Sequence, residues 1–225
     1  GIYMQAASYN YPTRMIFGPG SRAQLGALLK AEGKRRPLIV TDRGIARLPF
    51  VAEMVDTLKS EGLEAAVYSE IQGNPDKPQV TQGVDAFRAH QGDSFIILGG
   101  GAALDVGKVI ALMINHPGDV FDYEDGNPDV PPVDKEIPFN ICVPTTELTV
   151  GLPAGVTAAT GVDALSHSVE AFLAKGYHPM ADGIALEGIR LVKENLATVV
   201  KEPTNIVARG NMLMASSMVA TAFQK

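Results

Sequence analysis

The sequence predicts an α/β N-terminal domain built on a parallel sheet, followed by an all-α C-terminal domain. Three observations carry this. Short apolar runs rich in β-branched residues, at 37–41, 94–98 and 139–143, alternate with helical patterns over the first 146 residues. The connections between those runs are long enough for helices, which implies right-handed crossovers and helices on both faces of the sheet. After Glu147 no strand signal remains, and three long helical patterns follow. The expected domains are therefore 1–146, α/β, and 147–225, all-α.

Each element has a local reason. Arg14 to Phe17 is a short strand candidate, and Gly18-Pro19-Gly20 is a turn after it. Ser21 can cap a helix that carries Leu25, Leu28 and Leu29 on one side and stops at Gly33. The run 37–41 reads as a buried strand. A second helix starts near Leu48, with Val51, Met54, Val55 and Leu58 at helical spacing and Gly62 as its stop. Glu64 to Ser69 reads as a strand, and Val80, Val84 and Phe87 mark a third helix. The strand 94–98 runs straight into Gly99-Gly100-Gly101, and a helix to Met113 follows. The stretch 117–138 reads as a loop before the strand 139–143. The three later helices, 153–173, 179–200 and 203–223, each have a proline near the start, where a missing N–H costs nothing.

Composition narrows the function. In 225 residues, 46% are apolar and 20% charged, which excludes wholesale disorder. Nineteen Lys and Arg against 25 Asp and Glu leave a net charge of −6, which disfavours nucleic acid as a partner. The basic cluster Lys34-Arg35-Arg36 reads as a solvated helix end. The apolar runs are too short to span a bilayer, so no membrane partner is expected. Cys142, the single cysteine, sits in an apolar run and reads as a buried small residue. With no leader and one thiol, the expected location is cytoplasmic.

Three features carry chemistry. Gly99-Gly100-Gly101 stands where a strand ends and a helix begins. Without side chains there, backbone N–H groups and the helix dipole can meet a phosphate, although a tight turn without a ligand has the same sequence. Asp42 ends the strand 37–41. It can accept ribose hydroxyls or merely cap the next turn. Asn74-Pro75 and Thr145-Thr146 also follow strands, and singly each reads as turn chemistry. In the second half, Asp163 and His167 are four residues apart on one helix face. They can hold one divalent metal through O and N, or form an ion pair.

Together these pieces resemble the iron-containing (group III) alcohol dehydrogenase family. The matching stretches are Phe17-Gly18-Pro19-Gly20, Leu38 to Asp42, Asn74-Pro75, Gly99-Gly100-Gly101 with Asp105 and Lys108, Val143-Pro144-Thr145-Thr146, and Leu152-Pro153 with Thr157 to His167. The resemblance implies the dehydroquinate synthase-like fold and a metal-dependent oxidoreductase that moves a hydride between an alcohol and NAD(P). It implies cofactor binding by Asp42, Asn74, Gly99, Gly100, Gly101, Ala102, Asp105, Lys108, Thr145 and Thr146, in a cleft between the halves. Asp163 and His167 would act in catalysis through Fe(II) or Zn(II). The partner would be a small-molecule alcohol or aldehyde. NAD is expected over NADP, because the Asp42 carboxylate would repel a 2′-phosphate. A homodimer is expected, paired through the amino-terminal region, where 9–17 contains a candidate edge strand.

The sequence departs from the family in three ways. Ala102 replaces the usual serine after the glycines. Thr146 runs directly into Glu147, where the family makes a long excursion, so a spatial break is expected there. The family's later histidine ligands would follow Lys225, so the expected account is a longer protein of which this chain is part. Two other readings compete: a dehydroquinate synthase-like or sugar-phosphate enzyme, and a non-catalytic nucleotide-binding module.

Overall fold

A computed structural model of the chain describes residues 14–15, 21–72, 76–116, 118–119, 122, 129, 131–144, 154–173 and 179–222. They fall into two compact units that part after Pro144.

The first unit is a five-stranded, all-parallel sheet. Its strands are β1 (Arg14–Met15), β2 (Pro37–Asp42), β3 (Ala66–Ile71), β4 (Ser94–Gly99) and β5 (Phe139–Pro144), in the order β1-β5-β4-β2-β3. Its helices are α1 (Leu25–Ala31), α2 (Arg43–Ala46), α3 (Pro49–Ser60), α4 (Lys77–Ala89) and α5 (Gly101–Met113). Side chains alternate along each strand, so one sheet feeds two cores. Leu38, Val40, Phe95, Ile97 and Cys142 pack with Val84 and Phe87 of α4 and Val106 and Ile110 of α5. Ile39, Ile96, Leu98 and Ile141 pack with Leu25 and Leu29 of α1 and Val51, Met54 and Leu58 of α3.

Chain direction across the sheet reverses between β2 and β4. From β2 the chain passes through α3 to β3. It then returns over the opposite face through α4 to β4 and continues through α5 to β5. In open parallel sheets, ligands bind at the carboxyl edge beside such a reversal.

The structure moves several expected elements. β3 occupies 66–71 rather than 64–69. Leu63 is drawn into the core, and the Glu64 N–H donates to the Arg35 carbonyl at 2.8 Å, so the strand begins later, with Leu38 opposite Ala66. α2 is an element that apolar spacing did not announce. The last helix begins at Ile206 because Asn205, not Pro203, caps it: Asn205 Oδ1 accepts the Ala208 N–H at 3.0 Å. Lys34-Arg35-Arg36 does more than solvate a helix end. The Arg35 and Arg36 N–H groups donate to Asp93 at 2.7 and 3.0 Å, and the Arg36 guanidinium donates to the His90 carbonyl and pairs with Glu64. Of the expected strand 14–17, residues 16 and 17 lie outside the described residues.

The second unit is α6 (Ala154–Leu173), α7 (Pro179–Lys201) and α8 (Ile206–Ala222). Ala164 of α6, Leu191 and Val192 of α7 and Ala215 of α8 form its small core, with Met212, Met214 and Met218 filling around them. At Gly161 a methyl group would lie 2.3 Å from Leu196 Cδ1, so that glycine sets how closely α6 meets α7.

Candidate functional site

Asp42 and the Gly99-Gly100 turn, two of the sequence candidates, stand at the carboxyl edge of the first unit. β4 pairs with β2 on one side and β5 on the other, with Gly99 opposite Pro144. Asp42, Gly99 and Pro144 therefore end neighbouring strands at the point of reversal. Gly99 has φ +142°, a conformation that L side chains rarely adopt, and a methyl group there would lie 2.7 Å from Ala103 Cβ. Gly100 differs: its φ is −85°, and a methyl group on it would meet nothing within 4 Å. It is the N-cap of α5 and supplies no side chain to the first turn of N–H groups. The turn is thus a close-packed bend at Gly99 and an open backbone face at Gly100.

Asp42 caps α2, with Oδ1 accepting the Ile45 N–H at 2.7 Å. That accounts for one oxygen. Oδ2 receives no hydrogen bond among the described residues, and a methyl group on Gly99 would lie 3.9 Å from it. The cap and a ligand-facing role are therefore compatible on one carboxylate. Arg43, the next residue, turns to Glu70 near the end of β3: its Nε donates to Oε2 at 2.9 Å, and the guanidinium completes an ion pair. These charges reach Tyr68. Burial pushes its phenol up to about 12, Glu70 and Asp76 add to the rise, and Arg43 opposes it.

Asp105 and Lys108 stand one turn apart on α5. Asp105 is exposed, yet desolvation by the surrounding protein raises its carboxyl, with Lys108 opposing. Both charges reach Cys142, whose fully buried thiol is pushed up to about 11, chiefly by desolvation. That is a structural cysteine. Gly101 and Ala102 open α5, and their side-chain surroundings lie outside the described residues, as do Asn74, Thr145, Thr146 and the expected break before Glu147.

Asp163 and His167 lie one turn apart on α6, and the surroundings of their side chains are likewise outside the described residues. Among the described residues, no group of three or more His, Cys, Asp or Glu is placed to hold a metal ion. As a donor set, the pair supplies one oxygen and one nitrogen, which suits Fe(II) or Zn(II) and falls short of a closed site. The structure adds the Arg43–Glu70 pair, which sequence reasoning did not find. The two residues are 27 positions apart and meet only through the β2–β3 register.

A parallel sheet with helices on both faces, its reversal flanked by an acidic strand end and an open glycine turn, defines a doubly wound α/β unit, here followed by a helical unit. The chain belongs to the iron-containing alcohol dehydrogenase family. It matches that family over residues 12–171 and the family's C-terminal region over 157–225. It is 34% identical over 243 aligned positions to 4-hydroxybutyrate dehydrogenase of Cupriavidus necator, covering 88% of this chain and 62% of that one. It is 30% identical to NAD-dependent methanol dehydrogenase of Bacillus methanolicus, covering 94% and 65%. The crystal structure of an alcohol dehydrogenase, ADH/D1, from an archaeal halo-thermophilic source in a Red Sea brine pool superposes with a TM-score of 0.81 at 25% identity, covering 97% of this chain and 66% of that one.

The chain thus spans less than two thirds of these relatives. The alignments also carry a gap. The 243 positions aligned with the Cupriavidus enzyme fall on 88% of 225 residues, about 198, so about 45 positions within the match have no counterpart here.

Proposed function

We propose that this chain is the nucleotide-binding part, with the start of the metal-binding part, of an NAD-dependent oxidoreductase that interconverts alcohols with aldehydes or ketones. The observation that carries the reading is the Asp42–Gly99–Gly100 edge. A pyrophosphate fits over Gly100, where the backbone is open and α5 presents uncapped N–H groups. An adenosine ribose fits against Asp42 Oδ2, the oxygen not used by the α2 cap. Asn74, Gly101, Ala102, Asp105, Lys108, Thr145 and Thr146 complete the proposed cofactor site, and Ala102 contributes only its backbone. Asp163 and His167 would hold part of a metal donor set, Fe(II) or Zn(II). When bound, the dinucleotide accepts a hydride and the metal polarises the alcohol oxygen.

The chain's own residues bind and orient. Asp42 fixes the ribose and disfavours NADP, since a 2′-phosphate beside a carboxylate costs on the order of a few kcal/mol. Gly99 sets the bend that aims α5 at the pyrophosphate. Cys142, buried and free, fits a reducing cytoplasm, where we place the protein. We also propose a homodimer paired along the β1 edge, since an unpaired edge strand is a liability. Sedimentation giving only monomer at micromolar concentration would count against that pairing.

The test is calorimetric titration of the chain with NADH, followed by assay of a full-length form against a panel of alcohols with Fe(II) or Zn(II). Saturable NADH binding that Asp42→Gly makes less selective against NADPH supports the reading. No NADH binding by the folded chain refutes it. In a full-length form, His167→Ala should abolish metal-dependent turnover while NADH still binds.

A further inference from the structure

We infer that Glu70 is a cofactor-specificity residue: it holds Arg43 away from the position of a nucleotide 2′-phosphate. The inference rests on the proposed dinucleotide reading and concerns a residue that contributes nothing to the cradle itself. Arg43 immediately follows Asp42 and opens α2. An arginine near an acidic strand end is the group that can accept a 2′-phosphate, so its direction matters as much as the carboxylate's. Here it is committed. Arg43 Nε donates to Glu70 Oε2 at 2.9 Å, and its terminal nitrogen joins the same oxygen. The pair is made possible by the sheet: β3 lies beside β2 with Asp42 opposite Ile71, which sets Glu70 next to the first turn of α2.

The guanidinium is thereby occupied by Glu70 and is not offered to a phosphate. Both partners are about half exposed, at 46% and 48%. The pair is therefore a weak restraint that water and a stronger anion can displace. Removing Glu70 leaves a free guanidinium within one residue of the ribose-binding carboxylate, and arginine–phosphate pairing is charge-assisted and bidentate.

The experiment measures dissociation constants for NADH and NADPH by titration calorimetry at fixed ionic strength, since these interactions are salt-dependent. The proteins are the unaltered chain, Glu70→Gln, and Glu70→Gln combined with Arg43→Ala. Circular dichroism confirms that each is folded. Glu70→Gln should tighten NADPH by roughly three- to tenfold and change NADH less than about twofold. The added Arg43→Ala should remove that gain. If NADH binds and Glu70→Gln leaves the NADPH-to-NADH ratio unchanged, this inference is overturned while the nucleotide reading stands. If the gain survives Arg43→Ala, Arg43 does not carry it and the inference is again overturned. If the unaltered chain binds neither nucleotide, the dinucleotide reading fails and takes the inference with it.

Discussion

Alanine at Gly100 and alanine at Gly99 should do different things, although the two positions are adjacent. At Gly100 the backbone conformation is ordinary, with φ −85°, and the new methyl group would meet nothing within 4 Å. The stability cost should be limited to the poorer N-cap, about 0.5–1 kcal/mol. That same methyl group would stand over the turn where the pyrophosphate is proposed to lie. Losing close backbone approach should weaken NADH binding about tenfold or more, which corresponds to about 1.4 kcal/mol. At Gly99 the backbone has φ +142°, worth about 1–3 kcal/mol of strain for alanine. The added methyl group also lies 2.7 Å from Ala103 Cβ, an overpacking worth about 1–3 kcal/mol more. Gly99→Ala should therefore lose about 2–6 kcal/mol of stability. Urea denaturation reads the fold, and calorimetric titration with NADH reads the site. Unchanged NADH affinity in a stable Gly100→Ala protein would refute the open cradle. A Gly99→Ala protein within about 0.5 kcal/mol of the parent would refute the packing argument.

Three further outcomes follow from the first unit. Burial raises the Asp93 carboxyl, but the Arg35 and Arg36 N–H groups, the Ser94 hydroxyl and the Lys34 charge outweigh it, so the native group lies below the ordinary carboxylate range. Its contribution to stability is present above the unfolded value of about 3.9 and is lost as pH falls through the lower native value. Asp93→Asn should cost about 1–2 kcal/mol at neutral pH and flatten that acid limb in denaturation curves; an unchanged limb would remove Asp93 from the account. The Cys142 thiol, fully buried and raised to about 11, should resist Ellman's reagent at pH 8 until urea unfolds the protein, and rapid native labelling would contradict its burial. Gly107→Ala would bring a methyl group to 2.4 Å from Ile97 Cγ2, between α5 and β4, and should cost about 1–3 kcal/mol by thermal or urea melting.

The elements legible in the sequence were those whose burial leaves a periodic mark. β2 and β4 are buried almost throughout, and their unbroken apolar runs announced them to within a residue. β3 lies at the sheet end, and only Tyr68 and Ile71 on it are buried, so its pattern was faint and its expected position fell two residues early. α2 is four residues with none buried, and it exists because Asp42 caps it, a signal that apolar spacing cannot carry. At the site, Asp42 and the glycine turn were legible because strand end and helix start are adjacent in sequence. The Arg43–Glu70 pair was not, because it depends on which residues of β2 and β3 lie opposite one another.

The central strand has one more consequence, in time rather than in space. Phe95 and Ile97 belong to the core beneath α4 and α5, while Ile96 and Leu98 belong to the core beneath α1 and α3. Neither side of the sheet can let go of β4 without disturbing the other, so local opening has no route to this strand. Its amide protons should be among the slowest in the unit to trade with deuterium, at the rate of complete unfolding. Those of β3, bordered by one strand among the described residues, should exchange earlier. The strand that ends in the glycine turn would thus hold its shape while the edge carrying Glu70 fluctuates. The proposed phosphate cradle would be kept rigid, and the proposed specificity pair would be left free to rearrange.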